Sequence, residues 1–160
     1  MTSTADHPTY PLSKADAVTE LVLGIFRVHD ALMRRGDELV APIGLTSARW
    51  QVLGAIALAG EALTVPAIGK AMGLSRQGVQ KQVDLLREEG LVALQDNPSH
   101  QRSPLVALTR LGCAAYARAS RAWAVEARSL GRDHSLTELE SARRVVAAFV
   151  TSLDRAKKEG

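Results

Sequence analysis

This chain is poor in cysteine, has no long apolar run, and lacks the short motifs that mark common enzymes. One cysteine, Cys113, among 160 residues excludes an internal disulfide framework and suits a reducing compartment. That cysteine and the four histidines show no metal-ligand spacing, so neither a metal nor any other cofactor is expected. No apolar segment reaches the ~18–20 residues that span a bilayer. The N-terminal MTSTADHPTYPLSKAD has no basic stretch leading into an apolar run, so no secretory signal, no membrane partner and a cytoplasmic location are expected. A glycine-rich phosphate loop, HExxH, a nucleophile elbow and a credible Cys/His pair are all missing, and an enzyme is not expected.

What is present is ordinary for a folded protein. Hydrophobic residues make up 46% and charged residues 23%, which excludes disorder over most of the length. The length fits one domain. A net charge of +3 permits a nucleic-acid partner without requiring one. Residues 1–12, with Pro8 and Pro11, read as a flexible lead-in, leaving 13–160 as a single domain. Ser13 caps a long helix to about Leu39, with Val18, Leu21, Val22, Ile25, Val28 and Leu32 on one face. Leu23 and Phe26 carry apolar character beyond that face, which predicts a subunit contact. Pro42 and Gly44 end it. Thr46 begins a second helix, closed by Gly60, with Trp50, Leu53, Ile56 and Ala57 inward. Towards the C-terminus an alanine-rich helix runs from Thr109 to about Arg132. Another runs from about Thr137 to Lys158, with Leu139, Ala142, Val146, Phe149 and Leu153 at helical spacing.

The informative stretch is Leu63 to Thr109. Thr64 caps a short helix with Pro66 in its first turn, Ile68 and Met72 form its buried face, and Gly73 stops it. Ser75 caps the next helix, to about Glu89, with Val79, Val83 and Leu86 as the buried seam. Leu91–Leu94 and Leu105–Leu108 are apolar runs around the polar QDNPSHQRSP, the pattern of a hairpin with a long tip. The expected fold is mostly α (α+β): a winged helix-turn-helix, element order α-α-α-α-β-β-α-α, flanked by long terminal helices. Its reading face would present Arg76, Gln77, Gln80 and Lys81 from the first two turns, where a helix entering the major groove touches base edges. Ser75 and the helix N-terminus suit a phosphate. Arg102, near the hairpin tip, suits a narrow minor groove. Asp84, Glu88 and Glu89 sit at the far end, away from DNA. Gly78 is unusual inside a helix, and close packing of the two short helices is the preferred reason.

These residues resemble the MarR family, bacterial winged-helix repressors that bind DNA as homodimers. The likeness covers about residues 45–112: LTSARWQVL, LTVPAIGKAMGLSRQGVQKQVDLLREEGLV and RSPLVALT. It implies that 45–112 is the DNA-binding lobe and that 13–40 with 113–158 form the dimerisation region. It further implies a recognition helix at Ser75–Glu89 and a minor-groove arginine at Arg102. Many members carry an acid two positions before the wing arginine; here His100 stands there, and Asp96 is the candidate substitute. Two symmetric recognition helices predict a pseudo-palindromic operator with half-sites about 34–36 Å apart. The family also implies a small aromatic or anionic effector, for which His29, Arg49 and Trp50 are the candidate pocket residues. Trp50 as plain core and His29 as an interface residue are the blander readings. Some relatives sense oxidants by a thiol; Cys113 offers that alternative, although a packed, inert thiol is the expectation. A winged-helix protein-interaction module is the other alternative, and the polar-to-basic reading face argues against it.

Overall fold

Ser13 opens the first helix as expected, and the reason is local. Its hydroxyl accepts from the Asp16 amide at 3.2 Å while the Asp16 carboxylate accepts from the Ser13 amide at 3.1 Å, a reciprocal cap. The structure, a computed structural model, describes residues 13–159; the lead-in expected at 1–12 lies outside them. Helix α1 spans Lys14–Val40 and ends in a 3-10 turn, Ala41–Ile43, closed by Gly44. Along α1 only Gly36 and Val40 are buried. Val18, Leu21, Leu23, Phe26, Val28 and Leu32 are all exposed, Phe26 to 65%.

Helix α2 spans Ser47–Ala59, capped by Thr46, whose hydroxyl accepts from the Arg49 amide at 3.3 Å. The expected single inner face is too narrow. Val52, Leu53, Gly54, Ala55 and Ile56 are buried in succession, while Trp50 and Ala57 are only half-buried. The cause is position: α2 packs against α1 and against the short helices and sheet that follow, so its middle is covered all round, while Leu58 near its end stays exposed.

A strand that the sequence pattern does not announce comes next. Leu63–Thr64 forms β1, and its two residues pair antiparallel with Val106 and Leu105. Thr64 then caps α3 (Val65–Met72) by accepting from the Ala67 amide at 3.3 Å. Ser75 caps α4 (Arg76–Glu88) by accepting from the Gly78 amide at 3.0 Å. Strands β2 (Val92–Gln95) and β3 (Leu105–Leu108) form the hairpin, in register from Val92↔Leu108 to Gln95↔Leu105. The sheet therefore has three strands, in the order β1-β3-β2, rather than the two expected.

Helices α5 (Arg110–Leu130) and α6 (Leu136–Glu159) complete the chain. Ser135 and Glu138 form a second reciprocal cap at the start of α6. Hydrogen bonds from Ser135 hold the Glu138 carboxyl below the usual carboxylate range. The chain divides into two compact units, one up to Ala119 and one from Ser120. The core of the first is built on Leu53, Ile68, Leu86, Val40, Val52, Val79, Val83 and Val106, all fully buried. In the second, α6 has no buried residue among those described, and Leu136, Leu139, Val146, Val150 and Leu153 are exposed. No helix among the described residues is long and apolar enough to cross a membrane.

Candidate nucleic-acid interface

The angle between α3 and α4 is set by a glycine, but not by Gly78. A β-carbon on Gly69 would come within 2.8 Å of the Leu74 carbonyl oxygen. Only a bare α-carbon lets the turn fold so tightly, and the Leu74 amide closes it on the Gly69 carbonyl at 2.9 Å. Gly78 is exposed, and a β-carbon there would meet only the Ser75 hydroxyl. Packing of α3 on α4 is thus not its role, contrary to the expectation.

Rotation of α4 follows from its seam. Val79, Val83 and Leu86 are wholly buried, which leaves Ser75, Arg76, Gln77, Gln80 and Lys81 in solvent. Ser75 commits its oxygen to the Gly78 amide and retains its hydroxyl proton for an outside acceptor. Arg76, Gln77 and Lys81 make no side-chain hydrogen bond or ion pair within the described residues. The Gln80 amide nitrogen donates to the Asp84 carboxylate at 3.1 Å. The acids thought to lie clear of the reading face are therefore divided in role. Asp84 touches Gln80, and Glu89 turns inward to pair with Arg49 of α2.

Arg102 is exposed in the loop joining β2 to β3 and has no partner among the described residues. Neither Asp96 nor His100 braces it. Asn97 organises the loop instead: its amide nitrogen donates to the Ser103 carbonyl at 2.8 Å and its oxygen accepts from the Ser99 amide at 3.1 Å. Its backbone carbonyl accepts from the His100 amide at 3.1 Å. Sequence reasoning missed Asn97 while looking for an acid. The signal was the Asn-Pro-Ser run itself, since Asn before a turn bonds the backbone two residues on.

Helix and wing meet at one cleft of about 80 Å³, lined by Val65, Pro66, Arg76, Gln80, Leu94, Arg102, Ser103 and Pro104. It brings together Arg76 and Gln80 from α4 with Arg102 from the wing. Ser75, Gln77 and Lys81 lie outside it, further round the exposed side of α4. The cleft joins two guanidinium groups, unpaired among the described residues, and one amide, an arrangement suited to a polyanion that also displays hydrogen-bonding edges.

None of the cavities described here is lined by His29, Arg49 or Trp50, the three candidate effector residues. His29 is exposed on α1. Arg49 is only 16% exposed in its side chain and is held by Glu89. Trp50 packs at the edge of the core. A cavity of about 390 Å³ lies elsewhere, lined by Ile56, Ala57, Gly60, Glu61, Ala62, Ala107, Leu108, Cys113 and Tyr116. Its volume arises because three of those positions are alanine and one glycine, which leaves space between α2, β3 and the first turns of α5. Cys113 is exposed on its wall and is not the packed thiol expected. Among the described residues no group of His, Cys, Asp and Glu could hold a metal ion.

Comparisons with known proteins agree on one family. The MarR family model matches residues 43–103. An uncharacterized protein of Mycobacterium tuberculosis is 40% identical over 98 residues, covering 61% of this chain and 67% of that protein. Two solved structures share the fold. One is a cysteine-to-serine mutant of MarR from E. coli complexed with operator DNA: TM-score 0.71, 21% identity, 86% of this chain and 99% of that chain. The other is CouR from Rhodococcus jostii RHA1 bound to p-coumaroyl-CoA: TM-score 0.73, 22% identity, 87% of this chain and 95% of that chain. With its winged helix, its α3–turn–α4 unit and the wing arginine in the expected order, the chain belongs to the MarR family of transcriptional regulators.

Proposed function

We propose that this protein is a cytoplasmic DNA-binding repressor that occupies a pseudo-palindromic operator as a homodimer and is released by a small-molecule effector. The observation that carries the reading is the cleft shared by Arg76, Gln80 and Arg102, with both guanidinium groups free of partners among the described residues. In this reading Ser75 donates to a phosphate oxygen at the start of α4. Arg76, Gln77, Gln80 and Lys81 enter the major groove, and Arg102 reaches the adjacent minor groove. A fold-sharing relative was solved with operator DNA, in keeping with the assignment. An interaction module with a protein partner would favour an apolar or acidic face, whereas this one is polar to basic.

Dimerisation is supported by apolar side chains that the single chain leaves in water. Val18, Leu21, Leu23, Phe26, Val28 and Leu32 of α1 are exposed, and so are Leu139, Val146, Val150 and Leu153 of α6. Patches of this extent on a regulator are the mark of a subunit contact. For the effector, the cavity beside Tyr116 replaces the site expected at His29, Arg49 and Trp50. Its volume falls within the range of small-molecule sites, and CouR shows the same fold with a bound aromatic acyl-CoA.

Selection of duplexes from a randomised library, followed by titration at several salt concentrations, tests the proposal. A palindromic consensus bound with a steep salt dependence is expected. No enrichment of any sequence, or binding without salt dependence, would refute it.

A further inference from the structure

Of Arg76, Gln77, Gln80 and Lys81, Gln80 is the one whose side chain is held within the described residues. Its Nε2 donates to Asp84 Oδ1 at 3.1 Å, one helical turn on. A carboxylate offers only acceptors, so the amide must turn its nitrogen toward Asp84 and its Oε1 away. The Arg87 guanidinium, 4.0 Å from the same Oδ1, offsets part of the carboxylate's charge and steadies it. Gln80 also lines the cleft with Arg76 and Arg102, so the oxygen that Asp84 orients belongs to the surface proposed to meet base edges.

We infer that Asp84 is a specificity-determining residue, acting through Gln80. It fixes the glutamine amide so that Oε1 and the remaining N–H are presented together to an adenine edge in the major groove. Oε1 then accepts from the adenine N6 amine and the N–H donates to N7. An unheld glutamine can flip its amide and accept a guanine-type acceptor pattern at little cost, so the internal hydrogen bond converts a permissive side chain into a selective one. The same carboxylate is a negative charge on a surface meant for phosphates. Asp84 therefore lowers affinity for DNA of any sequence while raising discrimination at one base pair. This inference rests on the reading of α4 as a base-reading helix.

The opposed signs give the test. Duplexes selected by the wild-type protein are titrated with single base-pair substitutions, against the wild type, Gln80→Ala, Asp84→Ala and Asp84→Glu. Gln80→Ala identifies the base pair that Gln80 reads, where the wild type should prefer adenine by about 5- to 150-fold. Asp84→Ala should flatten preference at that same base pair to about threefold or less, with affinity for the other duplexes equal or up to severalfold higher. Asp84→Glu keeps an acceptor one turn away and should restore much of the discrimination. A uniform loss of affinity in Asp84→Ala with preference unchanged overturns the inference, because it shows a merely structural role. Preference retained in Asp84→Ala but lost in Gln80→Ala also overturns it. If Gln80→Ala itself changes no base preference, or the wild type selects no duplex, the failure lies with the reading of α4 and not with Asp84 alone. Unchanged melting and circular dichroism of each variant show that folding is intact.

Discussion

Arg102 and Asn97 separate two jobs within one loop, since one meets the outside and the other holds the shape. Arg102→Ala should weaken operator binding and reduce the magnitude of the salt slope by about one unit, because one phosphate-equivalent contact is lost. A titration with slope and affinity unchanged would remove Arg102 from the interface. Asn97→Ala loses the bonds to Ser103 and Ser99, each worth about 0.5–1.5 kcal/mol, in a loop outside the core. Faster amide exchange at Ser99 and weaker operator binding are expected, with the melting temperature lowered by only a few degrees. Gly112 shows a different constraint. A β-carbon there would collide with the backbone carbonyl of Leu91, which cannot swing aside as a side chain would. Gly112→Ala should lower stability by about 1–3 kcal/mol in urea unfolding. A wild-type midpoint would mean that α5 can shift freely on the turn before β2.

Helix ends were the most legible elements, because capping is local chemistry. Ser13, Thr46, Thr64 and Ser75 all cap where expected. The cap at Ser135 and Glu138 obeys the same rule and was overlooked. Glu138 gives a pH prediction whose sign follows from its lowered carboxyl. Such a group adds stability above its unfolded-state value, and that contribution is lost as pH falls through the lower folded-state value. The first turn of α6 should therefore fray in the acid range below the ordinary glutamate pKa, seen as a loss of amide protection at Glu138 relative to the intrinsic exchange rate at each pH, whereas Ser135→Ala should fray it already at neutral pH. Protection that is independent of pH in the wild type would contradict this. What stayed hidden was non-local. Strand β1 has two residues, too few for a period, and exists only through its pairing with β3. Burial of the middle of α2 on every side depends on neighbours the sequence does not name, and the Arg49–Glu89 pair joins residues 40 positions apart.

For the whole molecule, the helix-turn-helix with its hairpin was legible and the cavity beside Tyr116 was not. Arg76, Gln77, Gln80 and Lys81 fall on the exposed face of α4 by periodicity, and Arg102 is placed by the hairpin. A cavity arises from what is missing at Ala57, Gly60, Ala62 and Ala107, and small residues leave no pattern to read. The exposed leucines, valines and phenylalanine of α1 and α6 predict a dimer mass by light scattering at micromolar concentration. Replacing Leu21 and Phe26 together by aspartate should shift that mass to the monomer and halve the salt slope on the selected operator. A monomeric wild type would count against the homodimer.

Thr64 has two occupations at once. It is the last residue of β1, paired with Leu105 at the base of the wing, and it is the cap of α3, the helix against which α4 is set by the Gly69 turn. The wing is thereby tied to α3, and through the Gly69 turn to α4, as the two jaws of a caliper share one frame. In the DNA-binding mode proposed above, the spacing between its two points of touch is then a property of the protein and not of the operator. A single base pair inserted between the sites of the two touches displaces one of them by about 3.4 Å along the duplex axis and turns it about that axis. A caliper cannot open to follow. Such an insertion should therefore abolish the contribution of Arg102 while leaving that of α4 intact, so that the wild type and Arg102→Ala bind the lengthened site equally.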